Sequence, residues 1–265
     1  MLSSWEMSRP LPKRRGPFRA DQLRDGDPYE LSEGHPIRCL PTGSRGSDAA
    51  ATGAAVLKSD PLVEAAGVET GYSPSPETLR APDIAVGNVP NEPGWVKGSP
   101  LLAVEYADTG QDMADLAVKI RELLDAGTRF VWVVRLTGPR RVEIHEAGKE
   151  MRIARPGEEL VAPGILANPV PVEAMYDWGV GREVTLRNLL QRHGYDSLTA
   201  VRGEGEREAL RSSILDVLAA RGLAAGEEVR STIASCQDPA RLKHWLRQAV
   251  TAAAADELLA PPAAS

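Results

Sequence analysis

"LLAVEYADTGQDMADLAVKIRELLDAG", residues 101–127, passes from a short apolar run into a helical pattern within a few positions. Leu101 to Ala107, entered through Pro100, reads as a strand rich in Leu, Val and Ala. Beyond it, Met113, Leu116, Ala117, Ile120, Leu123 and Leu124 recur at the spacing of one helical face. Gly127 supplies the stop. Two charges do not belong to a plain strand and helix. Glu105 lies inside the apolar strand, although Glu is almost never buried without a partner. Lys119 lies roughly 100° from the centre of the apolar helical face, where its ammonium can reach past the core toward the strand ends.

The flanks extend the same pattern. "LRAPDIAV", residues 79–86, places Pro82 and Asp83 directly before a strand, "IAV". "RFVWVVRL" and "RRVEIHEAG", around the turn "TGP", read as two further strands, followed by strand-like pieces in "KEMRIARPGEELVAPG". Strand, strand, helix, strand, strand argues for a mixed sheet with a helix crossing one face. Upstream, "YELSEGHPIRCLP" predicts a hairpin and "GSDAAATGAAVLKSDP" a helix. Residues 1–18, with Pro10, Pro12 and Pro17 among charges, read as a flexible basic arm. From about residue 181 the chain turns into amphipathic helices, "LRNLLQRHG", "REALRSSILDVLAARG", "EEVRSTIASC" and "PARLKHWLRQAVTAAAADELLA". The predicted organisation is thus an arm (1–18), an α/β domain (19–180) and a helical extension (181–265).

Composition sets limits on function. The 265 residues are 42% apolar and 26% charged, with no run long enough to span a membrane, and the N-terminus lacks the apolar core of a secretory signal. A cytoplasmic protein is expected. Cys39 and Cys236 and the four histidines are scattered, which speaks against a disulfide, a zinc site or a histidine metal centre. The net charge of −6 divides into +3 over the first 25 residues, −9 over 26–180 and zero over 181–265. A broad basic face for nucleic acid is excluded, and any such contact is local. Lys13, Arg14, Arg15 and Arg19 form the obvious basic patch, either a solvated terminus or a DNA-binding arm.

Asp83 and Glu105 gain meaning together. Two carboxylates about 4 Å apart repel by about 4 kcal/mol at an effective dielectric near 20. A divalent cation with a preference for hard oxygen ligands, Mg2+ or Mn2+, turns that penalty into binding energy.

Pro82-Asp83 before a strand, Glu105 in the next and Lys119 on the following helix resemble the PD-(D/E)XK restriction-endonuclease superfamily. The lysine on the helix resembles its Uma-type family of endonucleases. Glu30 in "YEL", Gly34, "PTG" at 41–43, Asp115, Gly127 and Trp132 fit as well, over roughly residues 19–255. The chain departs from the pattern at Ala107, where a lysine is usual, and at Gly46, Leu123 and Arg135.

The resemblance implies a restriction-endonuclease-like mixed sheet flanked by helices, with a helical C-terminal extension. It implies hydrolysis of a nucleic-acid phosphodiester, DNA ahead of RNA, with Mg2+ or Mn2+ held by Asp83, Glu105 and the carbonyl of Tyr106. Lys119 would orient or deprotonate water or stabilise phosphate charge. Glu30 would hold a water on the metal, and Asp115 would fix the lysine's rotamer. A homodimer, through the core or the tail, suits nucleases that cut two strands. The alternative is a nuclease-fold module without turnover that binds a partner through its helical tail.

Overall fold

The strand and helix at 101–127 form as expected in a computed structural model, which describes residues 16–109 and 112–260. Most of the expected basic arm, with Lys13, Arg14 and Arg15, therefore lies outside the described residues. Of its remainder, Phe18 is buried in a small apolar cluster with Leu31 and Leu79.

The chain opens with a hairpin, β1 (Tyr29–Ser32) and β2 (His35–Arg38), and then α1 (Ser44–Ser59). Four short strands follow, β3 (Ala66–Val68), β4 (Tyr72–Ser75), β5 (Thr78–Arg80) and β6 (Ile84–Val86), with a two-residue β7 (Val96–Lys97). Next come β8 (Leu102–Ala107), α2 (Met113–Asp125), β9 (Phe130–Arg135), β10 (Arg141–Glu146) and β11 (Arg152–Ala154). A small ribbon of β12 (Glu159–Leu160) and β13 (Val170–Pro171) leads to α3 (Trp178–Arg192). The main sheet runs β11-β10-β9-β8-β6-β3, and a second sheet runs β2-β1-β5-β4-β7. In the main sheet β8 and β9 are parallel, joined by α2, and the other pairs are antiparallel. This is the mixed α/β sheet with a helical crossover that the sequence predicts.

Every residue of β8 and β9 is buried, so both faces of the sheet need cover. On one face Leu102, Val104, Tyr106, Trp132 and Val134 pack in a core with Val56 and Leu57 of α1, Met175 and Val184. On the other, the small Ala103 and Ala107 leave room for Leu116, Ile120 and Leu123 of α2. Glu105, between those alanines, has the same parity and faces α2. Asp112 caps α2 by accepting from the N–H groups of Ala114 and Asp115, and Gly127, at φ 107°, ends it.

The expected boundary at 180/181 moves. One compact unit runs to His193 and a second from Gly194. The cause is the C-terminal end of α1, whose carbonyls need donors. Asn188 of α3 donates to Val56 O at 3.3 Å, and Arg192 to Ser59 O at 2.8 Å and Asp60 O at 2.6 Å. The second unit contains α4 (Leu198–Ala220), α5 (Glu227–Ser235) and α6 (Pro239–Ala249). It has its own core, with Ile214, Leu218, Val229, Ile233, Leu242 and Trp245. Among the described residues no helix is long and apolar enough to cross a membrane.

The approach of α1 to β8 rests on Gly53. A methyl group there would collide with Tyr106 Oη, which cannot retreat without leaving Met175 O, to which it donates at 2.8 Å. Gly53→Ala is expected to lose about 1–3 kcal/mol of stability in urea denaturation; an unchanged midpoint would refute this close contact.

Candidate active site

The site begins where a ladder stops. Val68 pairs with Ile84, and Ile84 with Val104, across β3, β6 and β8. One residue further along each strand stand Glu69, Asp83 and Glu105, a row of three carboxylates. The Glu69 N–H donates to Asp83 O at 3.4 Å and continues the β3–β6 ladder. Toward β8 the ladder fails. In this register the next hydrogen-bonded pair after Ile84 and Val104 is Pro82 with Tyr106, and Pro82 has no N–H to give. Asp83 Oδ2 accepts the Tyr106 N–H instead, at 2.5 Å. The Tyr106 carbonyl points to the same side of β8 as its N–H, so the proline deprives it of its usual donor. Proline before aspartate thus both ends the pairing and turns the aspartate onto the neighbouring strand.

Lys119 completes the cluster. Its Nζ lies 2.9 Å from Glu105 Oε1 and 3.0 Å from Glu30 Oε1, and donates to Ala81 O at 2.7 Å. Glu30 comes from β1 of the second sheet, and also accepts from Arg80 at 2.9 Å and from the Ala81 N–H at 3.2 Å. Arg80 reaches on to Glu122, which accepts from Ser32 Oγ. All four predicted side chains, Glu30, Asp83, Glu105 and Lys119, therefore meet. Asp115 does not join them: it is exposed, and Lys119 pairs with buried carboxylates and not with its own helix.

Burial and charge set the protonation. Burial pushes Glu105 up to about 8 against the pull of Lys119, with the charges of Asp83 and Glu30 adding to the rise. Burial and the Asp83 charge push Glu69 up to about 7, and burial also raises Asp83. Glu30 moves the other way, because Lys119 and Arg80 outweigh its burial. Burial would discharge Lys119, but Glu105, Glu30 and Asp83 overcome it and keep the ammonium charged.

Three members escaped the sequence reading. Glu122 is one turn beyond Lys119 on α2 and carried a helical spacing signal, whereas Arg80, on the extended β5, carried no such signal. Glu69 carried none, since only strand register brings it beside Asp83.

The donor set suits a hard divalent cation. Glu105 is 5% exposed, and its Oε1 is paired with the Lys119 ammonium at 2.9 Å. Five carboxylates, Glu30, Glu69, Asp83, Glu105 and Glu122, share two cations, Lys119 and Arg80. Among the described residues no three His, Cys, Asp or Glu side chains already converge as a cage. The arrangement that fits is two carboxylates, Asp83 and Glu105, with the Tyr106 carbonyl, all oxygen.

Residues 18–170 match the model of the Uma2 family, described as "Putative restriction endonuclease". No curated protein matches the chain. Among solved structures, "a putative nuclease" from Anabaena variabilis is similar at 18% identity and a TM-score of 0.53, covering 61% of this chain and 99% of its own. That likeness supports the fold.

Two outcomes follow from the charges. Glu69 and Glu105 have folded values near 7 and 8 against an ordinary 4.5, so their neutral forms stabilise the fold at low pH and that contribution is lost as pH rises through 7 and 8. Without metal, the unfolding temperature should fall between pH 5 and 9, and Glu105→Gln should flatten the fall; an equal slope would contradict the assignment. Arg80→Met should cost about 3–5 kcal/mol by stranding Glu30 and Glu122, and adding Glu30→Gln and Glu122→Gln should recover much of it. Denaturant titration of the single and triple variants decides; no recovery would deny Arg80 this pairing.

Proposed function

The chain belongs to the Uma2 family, and from that premise we propose that it is a metal-dependent endonuclease hydrolysing nucleic-acid phosphodiesters, DNA ahead of RNA. The observation that carries this reading is the meeting of Asp83, Glu105 and Lys119 where Pro82 interrupts the β6–β8 ladder. Asp83, Glu105 and the Tyr106 carbonyl would hold Mg2+ or Mn2+. When bound, the ion makes water a competent nucleophile near neutral pH and offsets charge on the phosphate.

The chain's own groups divide the remaining work. Lys119 is charged, so it serves as a cation facing the phosphoryl oxygens and not as a base. Glu30 has both oxygens engaged by Lys119, Arg80 and the Ala81 N–H, which makes it a positioning residue for the ammonium. Glu122, which accepts from Ser32 Oγ, holds Arg80 in turn. Ala107 does not weaken this reading, because the helix-borne lysine already reaches Glu105. A homodimer would place two such sites on two strands.

With Mg2+ or Mn2+ the purified chain should cleave DNA, and chelation should stop it. Asp83→Asn, Glu105→Gln and Lys119→Met should each lower the rate about 100-fold or more. Intact DNA and RNA across metals and salt concentrations, or cleavage untouched by Asp83→Asn, would overturn the proposal.

A further inference from the structure

The helical unit has a surface to which the metal site gives no role. Helices α5 and α6 are joined by three residues, Cys236, Gln237 and Asp238, the short connection of a helix-turn-helix. Asp238 caps α6 by accepting from the Ala240 N–H at 2.8 Å, and at its far end Arg221 of α4 donates to Ala249 O at 2.9 Å and Ala252 O at 2.6 Å. Leu242, Trp245 and Ala249 bury one face of α6 in the core of this unit. The other face is exposed and basic: Arg241, Lys243, His244 and Arg247 all reach solvent, and α6 contains no Asp or Glu. Three full positive charges therefore stand on one helix of a segment, 181–265, whose net charge is zero. The Arg241 guanidinium lies over the Trp245 ring, 4.6 Å from its centre, which fixes its direction without neutralising it. Among the described residues Arg241 and Arg247 pair with no carboxylate, and Lys243 meets Glu206 at 2.6 Å in a pair 54% and 50% exposed. Glu204 of α4 is held by Arg207 and Arg211 instead.

We propose that α5 and α6 act as a helix-turn-helix that binds double-stranded DNA, with α6 laid in the major groove. The assignment goes beyond the metal site and does not rest on turnover there. The 11 residues of α6 make a rod roughly 16 Å long and about 10–12 Å across. A B-form major groove, about 12 Å wide, admits such a rod. At about 100° per residue, Arg241 and Lys243 fall on opposite flanks of the exposed face, where the two phosphate backbones border the groove. Arg247 falls at its crest, toward the base edges. A phosphate would take Lys243 from Glu206 at small cost, because exposed ion pairs contribute little. The major groove of A-form RNA is too deep and narrow for side chains to read, so charge and shape together select DNA.

Fluorescence anisotropy of the full chain with a labelled DNA duplex, with metal chelated so that no cleavage intervenes, tests this. The triple variant Arg241→Gln, Lys243→Gln and Arg247→Gln should bind about 10- to 100-fold more weakly, and the slope of log affinity against log salt should fall by about two to three. Its unfolding temperature should not move, since all three side chains are exposed. Removing three exposed arginines outside α6, by Arg152→Gln, Arg182→Gln and Arg202→Gln, should leave affinity and slope as in the parent, which separates a built surface from net charge. Equal loss in the two triple variants, unchanged affinity in the α6 variant, duplex RNA bound as tightly as DNA, or a parent that binds no duplex would each overturn the proposal. If the α6 variant binds like the parent and still cleaves DNA with Mg2+, the metal-site reading stands without this one. If the parent never cleaves but loses the duplex on the α6 substitutions, the DNA-binding helix stands and the nuclease reading falls.

Discussion

Lys119 places one buried positive charge against Glu105 of the main sheet and Glu30 of the second sheet, and the arrangement of the site depends on that double contact. Without it, two carboxylates would be buried with less compensation than their desolvation demands. The helix is built to deliver it. Asp112 starts α2, Gly127 stops it, and Ala103 and Ala107 are small enough to let it lie close over β8. Packing and charge therefore select the same helix position: Leu116, Ile120 and Leu123 bury themselves, and Lys119 is carried onto Glu105 by the same rotation. A buried ion pair is weak evidence of stability by itself. Here five carboxyl groups lie with two cations, and burial holds Glu105 and Glu69 toward their neutral forms.

The proline and aspartate at 82–83 act through the backbone as much as through the side chain. Pro82 withholds one N–H, Asp83 takes over the Tyr106 N–H, and the Tyr106 carbonyl is left facing the same region. Two adjacent residues thus end the pairing and leave the Tyr106 carbonyl without its ladder donor. That gives a physical reason for their adjacency, beyond the stiffness proline lends to the chain.

Much of this was legible in the sequence. The apolar run of β8, the periodicity of α2 and the three-residue strand after Asp83 were each strong local signals, and the resemblance named the family. The apolar stripe of α2 was drawn too wide. Met113 is 52% exposed and Ala117 is exposed, so the buried stripe is turned toward Lys119, which sits nearer the core than an edge position suggests. Asp115 was a reasonable partner by helical spacing, but an exposed pair is worth a few tenths of a kcal/mol and buried carboxylates compete better. The second sheet escaped because β4, β5 and β7 are two to four residues long and interspersed with Ser, Pro and Gly. Residues 181–193 escaped because helix α3 looks like the helices after it; what assigns it to the first unit is the capping of α1 by Asn188 and Arg192, a contact between distant residues.

In the proposed site Asp83 and Glu105 share one ion with the Tyr106 carbonyl, and Lys119 stands beside it on Glu30 and Glu105. A crystal structure of the chain with Mn2+, read from the anomalous signal of the metal, tests this most directly. The expected result is one ion bonded to both carboxylates and the carbonyl, with Lys119 still on Glu30. An ion located elsewhere, or no ion at saturating Mn2+, would contradict it.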